Sequence, residues 1–83
     1  LHPGPGFGGS CFPKDTEAFA RLGKDYNSPL QIVETVISVN LAQKERMVSK
    51  VENMLGGQIA GKNLAILGLS FKPNTSDIRE SPA

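Results

Sequence analysis

Tryptophan is absent from this chain, and tyrosine and cysteine each occur once among its 83 residues. Hydrophobic residues make up 39%, beside nine glycines and six prolines. That is thin for a self-sufficient core, since small domains bury proportionally little surface. A single cysteine, Cys11, cannot close an internal disulfide, which agrees with a reducing, cytoplasmic setting. Charge of one sign is also lacking, nine basic residues against eight acidic leaving a net +1. Composition therefore offers no electrostatic case for nucleic acid or an anionic membrane as partner. No apolar run approaches the about 20 residues of a membrane-spanning helix. The start, Leu1-His2-Pro3-Gly4, shows no initiator methionine and no basic or apolar segment of a signal peptide. His2 and Cys11 make no metal-ligand spacing, so no metal is expected. Repeats and low-complexity segments are missing, and both ends look cut. The expectation is an internal segment of a longer enzyme.

What is present is concentrated in residues 4 to 15, Gly-Pro-Gly-Phe-Gly-Gly-Ser-Cys-Phe-Pro-Lys-Asp. Gly4, Gly6, Gly8 and Gly9 have no Cβ, so the backbone can turn freely and a ligand can approach it closely. Lys14 and Asp15 follow the thiol, and a nearby cation favours the nucleophilic thiolate form of a cysteine. The plainer alternatives are an inert core cysteine, an ordinary glycine turn, and Asp15 serving only as a helix cap. Gly4 to Gly9 formally satisfies the dinucleotide pattern G-x-G-x-x-G, but a true fingerprint follows a strand and opens a helix. No strand fits before residue 4 and Pro5 is stiff, so these glycines are read as shaping a pocket around Cys11. Asn74-Thr75-Ser76 matches a glycosylation sequon but lacks the secretory signal that would give it meaning.

Farther along, Asp15 or Thr16 can cap a short helix over 16–23, with Phe19 and Leu22 on one face and Gly23 as its stop. Ser28-Pro29-Leu30-Gln31 reads as a capping box opening a long helix over 29–55, ended by Gly56-Gly57. At about 1.5 Å per residue it would run about 40 Å. Two apolar stripes follow it. One holds Leu30, Val33, Ile37 and Leu41, continuing in Val48, Val51 and Leu55; the other holds Ile32, Val36, Val39, Met47 and Met54. A helix facing water needs only one. Burial from two sides follows, either by a partner or by further parts of the same protein. Leu64-Ala65-Ile66-Leu67-Gly68 reads as a buried strand leading into a ligand-facing loop. The fold class is therefore mainly α, with one long helix, one short helix and one strand.

The string Pro5-Gly-Phe-Gly-Gly-Ser-Cys-Phe-Pro-Lys-Asp15 resembles the active-site cysteine loop of the UDP-glucose 6-dehydrogenases, within the nucleotide-sugar dehydrogenase family. Gly68-Leu-Ser-Phe-Lys-Pro-Asn-Thr-Ser-Asp-Ile-Arg-Glu-Ser-Pro82 resembles that family's signature near the start of its last domain. The two motifs stand in the family's order and at about its separation, and the resemblance covers essentially the whole chain. It implies a parent of α/β class with two Rossmann-like domains joined by a central helix. Residues 1–57 would then be the central, dimerising segment, and 58–83 the start of the C-terminal UDP-binding domain. It implies Cys11 as catalytic nucleophile and Asp15 as the group assisting hydrolysis. Lys14 and Arg79 would contact NAD, while Phe7, Gly8, Phe71 and Lys72 would contact the nucleotide-sugar. Lys72 and Arg79 are chemically suited to phosphates, arginine through its planar fork. Ser76 departs from the pattern, standing where many members carry an acid. The implied partners are a nucleotide-sugar and a second copy of the chain through the 29–55 helix.

Two other readings stay open at the level of sequence. A sister enzyme acting on GDP-mannose or a UDP-N-acetyl-hexosamine would share the loop, because the chemistry at C6 is shared. A non-catalytic helical dimerisation module would carry Cys11 incidentally. Thiol reactivity separates the module from the enzymes.

Overall fold

The computed structural model describes residues 4–83, so the expectation attached to His2 lies outside the described residues. Two helices make up its regular structure, α1 (Phe12–Asp25) and α2 (Gln31–Met54). They pack against each other as a helical hairpin. No strand is present among the described residues.

Helix α1 begins four residues before the expected start. Cys11 occupies the N-cap position and accepts the Asp15 N–H at 2.8 Å through its carbonyl. Pro13 stands in the first turn, where its fixed φ suits a helix and its missing N–H costs nothing. Neither Asp15 nor Thr16 is the cap. The Thr16 hydroxyl instead donates back to the Phe12 carbonyl at 2.7 Å and the Pro13 carbonyl at 2.9 Å. Asp15 in the first turn and Lys24 in the last both complement the helix dipole.

Gly23 does not stop α1. It is buried inside the helix, and a Cβ there would lie 2.8 Å from both the Ser28 carbonyl oxygen and Leu30 Cγ. The glycine lets the chain fold back tightly into α2. The stop comes from Asn27, left-handed at φ 54°. The Asn27 N–H reaches the Lys24 carbonyl at 3.0 Å and the Ser28 N–H reaches the Gly23 carbonyl at 2.8 Å. Those two bonds are the Schellman pattern. They also explain why the capping box fails. Ser28 belongs to the end of α1, so α2 opens at Gln31 behind Leu30 with no side-chain cap. An ion pair, Lys24 to Glu34 at 3.4 Å, ties the last turn of α1 to the first of α2.

The other end of α2 matches expectation closely. Gly56 (φ 67°) and Gly57 (φ 81°) repeat the Schellman pattern, with Gly57 N–H on the Glu52 carbonyl at 2.8 Å and Gly56 N–H on the Asn53 carbonyl at 3.2 Å. Leu30, Val33 and Ile37 of the first stripe are half-buried, whereas Ile32, Val36 and Val39 of the second are exposed. Ala20 is the buried apolar side chain of the hairpin.

The expected strand over Leu64 to Leu67 is not formed; Leu67 is 95% exposed. A strand needs a neighbour to take its N–H and C=O groups, and no other strand is described here. No described helix is long and apolar enough to cross a membrane.

Candidate active site

The glycine loop lies along α2 and under the C-terminal tail. Its N-terminal part is held by α2: Gln43 Nε2 donates to the Gly4 carbonyl at 3.3 Å, and Asn40 bonds to Phe7 in both directions. Its C-terminal part is held by the tail. The Gly9 N–H donates to the Arg79 carbonyl at 3.0 Å. A Cβ on Gly9 would press on the Phe71 ring at 3.0 Å, and one on Gly8 would overlap the Glu80 carbonyl. Two stretches separated by the whole hairpin are thus folded onto one another, and they are the two that carry the family resemblance.

Cys11 is exposed at the head of α1, the positive end of the helix dipole. The Ser10 hydroxyl lies 3.7 Å from its sulfur, within hydrogen-bond length for that atom. Lys14 and Asp15 sit on the first turn, both well exposed and 3.6 Å apart. A pair so open to water contributes little to stability, which leaves both side chains available to a ligand.

In the tail, the Phe71 N–H donates to the Asp77 carbonyl at 3.0 Å and closes a loop over 71–77. Lys72 Nζ lies over the Phe71 ring, 5.2 Å from its centre. Arg79 is clasped by Asp77, its Nε on Oδ1 and Nη2 on Oδ2, each at 2.9 Å. The Asp77 Oδ1 also accepts the Arg79 backbone N–H at 3.0 Å. These side-chain and then backbone hydrogen bonds lower the Asp77 pKa from 3.8 to about 2. The Arg79 guanidinium is held above its ordinary range, first by the hydrogen bonds to Asp77 and then by that carboxylate's charge.

The structure therefore gathers Phe7, Gly8, Cys11, Phe71 and Arg79 into one region where loop, α1 and tail converge. Lys14 and Asp15 extend it along α1, and Lys72 stands at its edge over Phe71. Sequence reasoning missed two residues here. Asp77 was visible in the motif string, two positions before the arginine it aims. Asn40 is buried in the middle of α2. A lone amide inside the apolar run Val36-Ile37-Ser38-Val39-Asn40-Leu41 was the available signal.

Residues 1–42 match the family model described as "UDP-glucose/GDP-mannose dehydrogenase family, central domain". All 83 residues align with UDP-glucose 6-dehydrogenase of Rhizobium meliloti (strain 1021) at 53% identity. They align equally fully with UDP-glucose 6-dehydrogenase YwqF of Bacillus subtilis (strain 168) at 48%, and with UDP-glucose 6-dehydrogenase of Rickettsia typhi at 47%. The chain spans 19% of the length of each of these relatives. A match over half the chain, with Cys11 and its loop inside it, makes it a member of the UDP-glucose/GDP-mannose dehydrogenase family.

Proposed function

We propose that this chain is the cysteine-bearing segment of a cytoplasmic UDP-glucose 6-dehydrogenase, which oxidises UDP-glucose to UDP-glucuronate in two NAD-dependent steps. The observation that carries this reading is the folding of the 68–82 stretch onto the cysteine loop. It brings the Arg79 backbone and the Phe71 ring against Gly9, two residues before Cys11. The names of the relatives support the nucleotide-sugar.

The residues fit an anionic, phosphate-bearing cofactor. Arg79 uses two of its five N–H donors on Asp77, and Lys14 adds an exposed cation one turn from Cys11. When bound, NAD accepts a hydride from C6 in each oxidation. The chain's own work lies between and after those transfers. Cys11 sulfur adds to the C6 aldehyde, forming a C–S bond and a thiohemiacetal that keeps the reactive carbonyl covalently held. Loss of hydride from that adduct leaves a thioester. Water then attacks C6 with Asp15 taking its proton, the C–S bond breaks, and the sulfur leaves as thiolate. The added carboxylate oxygen comes from the water. Phe7, Gly8, Phe71 and Lys72 hold the nucleotide-sugar, Lys72 through its phosphates.

On the same reading the whole protein is α/β, with two Rossmann-like domains joined by α2. Residues 1–57 form its central segment and 58–83 the beginning of its UDP-binding domain. The open stripe of α2 then meets a second copy of the chain. The test is turnover of the full-length protein with NAD⁺ and a panel of nucleotide-sugars. UDP-glucose should give the highest kcat/KM. A preference for GDP-mannose would move the assignment to the sister enzymes, and absence of turnover with an unreactive Cys11 would leave a dimerisation module.

A further inference from the structure

We propose that Asn40 is a positioning residue, holding the glycine loop and through it Cys11 in the geometry the reaction needs. The inference rests on the reading of that loop as the active-site loop. Asn40 lies mid-helix and is buried, at 8% exposure. Its amide has to be satisfied away from its own helix, because a buried polar group left unpaired is costly. Phe7 gives a partner to both of its polar atoms. Asn40 Oδ1 accepts the Phe7 N–H at 2.7 Å, and Nδ2 donates to the Phe7 carbonyl at 3.1 Å. One planar group thus fixes both polar atoms of one loop residue, as a neighbouring strand would.

The preceding residue makes this approach possible. Gly6 has φ 125°, and a Cβ on it would stand 2.8 Å from Asn40 Oδ1. From Phe7 the constraint reaches the head of α1 by packing of side chains. The Phe7 ring meets the Phe12 ring edge-on, centroids 5.3 Å apart at 61°, and Phe12 is the first residue of α1, next to Cys11. A small cavity bounded by Phe7, Pro13, Ile37, Asn40 and Glu80 marks where loop, both helices and tail come together. The tail fixes the loop's far end at Gly9, so Asn40 supplies the opposing anchor.

The chemistry of the contact singles out asparagine. Leucine matches the shape with neither bond. Aspartate keeps an acceptor for the Phe7 N–H but turns a second oxygen toward the Phe7 carbonyl.

The experiment uses the full-length protein, comparing wild type, Asn40→Leu, Asn40→Asp and, as control, Ser38→Ala, whose hydroxyl serves only the Thr35 carbonyl of its own helix. Because small misplacements of a reacting group are expensive, both Asn40 variants should lose about tenfold or more in kcat per folded molecule. KM for UDP-glucose should rise while KM for NAD⁺ stays unchanged, since the loop carries the sugar contacts. The rate of Cys11 alkylation by iodoacetamide should change in parallel, and Ser38→Ala should behave as wild type. Wild-type kinetics and alkylation in both variants would overturn the proposal. So would a loss of activity that merely follows the folded fraction, with both KM values and alkylation per folded molecule unchanged. If the leucine variant does not fold, Asn40→Ser takes its place with the same criteria. A wild-type protein inactive on every nucleotide-sugar would refute the proposed function instead, and alkylation would still decide the role of Asn40.

Discussion

Cys11 stands exposed at the N-cap of α1, with the Ser10 hydroxyl beside its sulfur. Replacing its sulfur by oxygen in the full-length protein removes the covalent steps but none of the binding contacts. Cys11→Ser should therefore lower net conversion of UDP-glucose to the acid by about a thousandfold or more, with the substrate Kd little changed. Calorimetry for binding and product assay for turnover would check the two halves; near-normal acid formation would refute the covalent route. A second prediction belongs to Asp77. Its folded pKa is lowered to about 2 from 3.8, so the Asp77–Arg79 clasp contributes above the unfolded value. That contribution is lost as pH falls through the folded one. The turn over 77–79 should loosen between about pH 4 and pH 2, and Asp77→Asn should abolish that acid-dependent step. Carboxyl chemical shifts followed by NMR would read it; an Asp77 midpoint at the ordinary value would contradict the clasp. At this scale the residues proposed to carry the chemistry come from the motif strings, which name them. Asn40 was not legible in the sequence, since its partner Phe7 lies far off in the chain and only folding brings the two together; Asp77 stood two positions from its partner Arg79, and no sequence rule marked that short spacing as a clasp.

At the scale of elements, local signals succeeded where one segment decides the outcome and failed where two compete. The end of α2 was legible because Gly56 and Gly57 can take left-handed φ with no rival demand. Ser28 had two possible employers, and the end of α1 took it. Gly23 looked like a stop in the sequence, yet in the fold it is the contact surface between α1 and the chain leading into α2. Gly23→Ala tests that difference. Alanine improves helix propensity by about 1 kcal/mol. Overpacking costs about 1–3 kcal/mol, and here the obstruction at 2.8 Å includes a backbone carbonyl that cannot swing away. The packing term should win, and the thermal midpoint should fall. A raised midpoint would mean the glycine is only a helix breaker. The unformed strand at Leu64 to Leu67 teaches the same lesson from the other side. Its apolar run states what the segment is suited for, while pairing depends on neighbours that the segment does not contain.

At the scale of the whole molecule, the hairpin covers only part of what α2 offers. Ile32 is 81% exposed, Val39 60% and Met54 85%, all on the second stripe. The chain spans 19% of its relatives, so two occupants compete for that surface: further parts of the same protein, or a second copy. A second copy is the proposed one, because an antiparallel pair of such helices would bury the stripe against its own equivalent, as two-fold symmetry requires. The full-length protein should therefore sediment as a dimer. Ile32→Asp and Val39→Asp together would place charges in the buried seam, where an unpaired carboxylate is strongly disfavoured, and should shift it to monomer while Cys11 alkylation persists. A wild-type monomer at high concentration would assign the stripe to the protein's own remaining domains. A variant that unfolds without first dissociating would do the same, since the stripe would then be core.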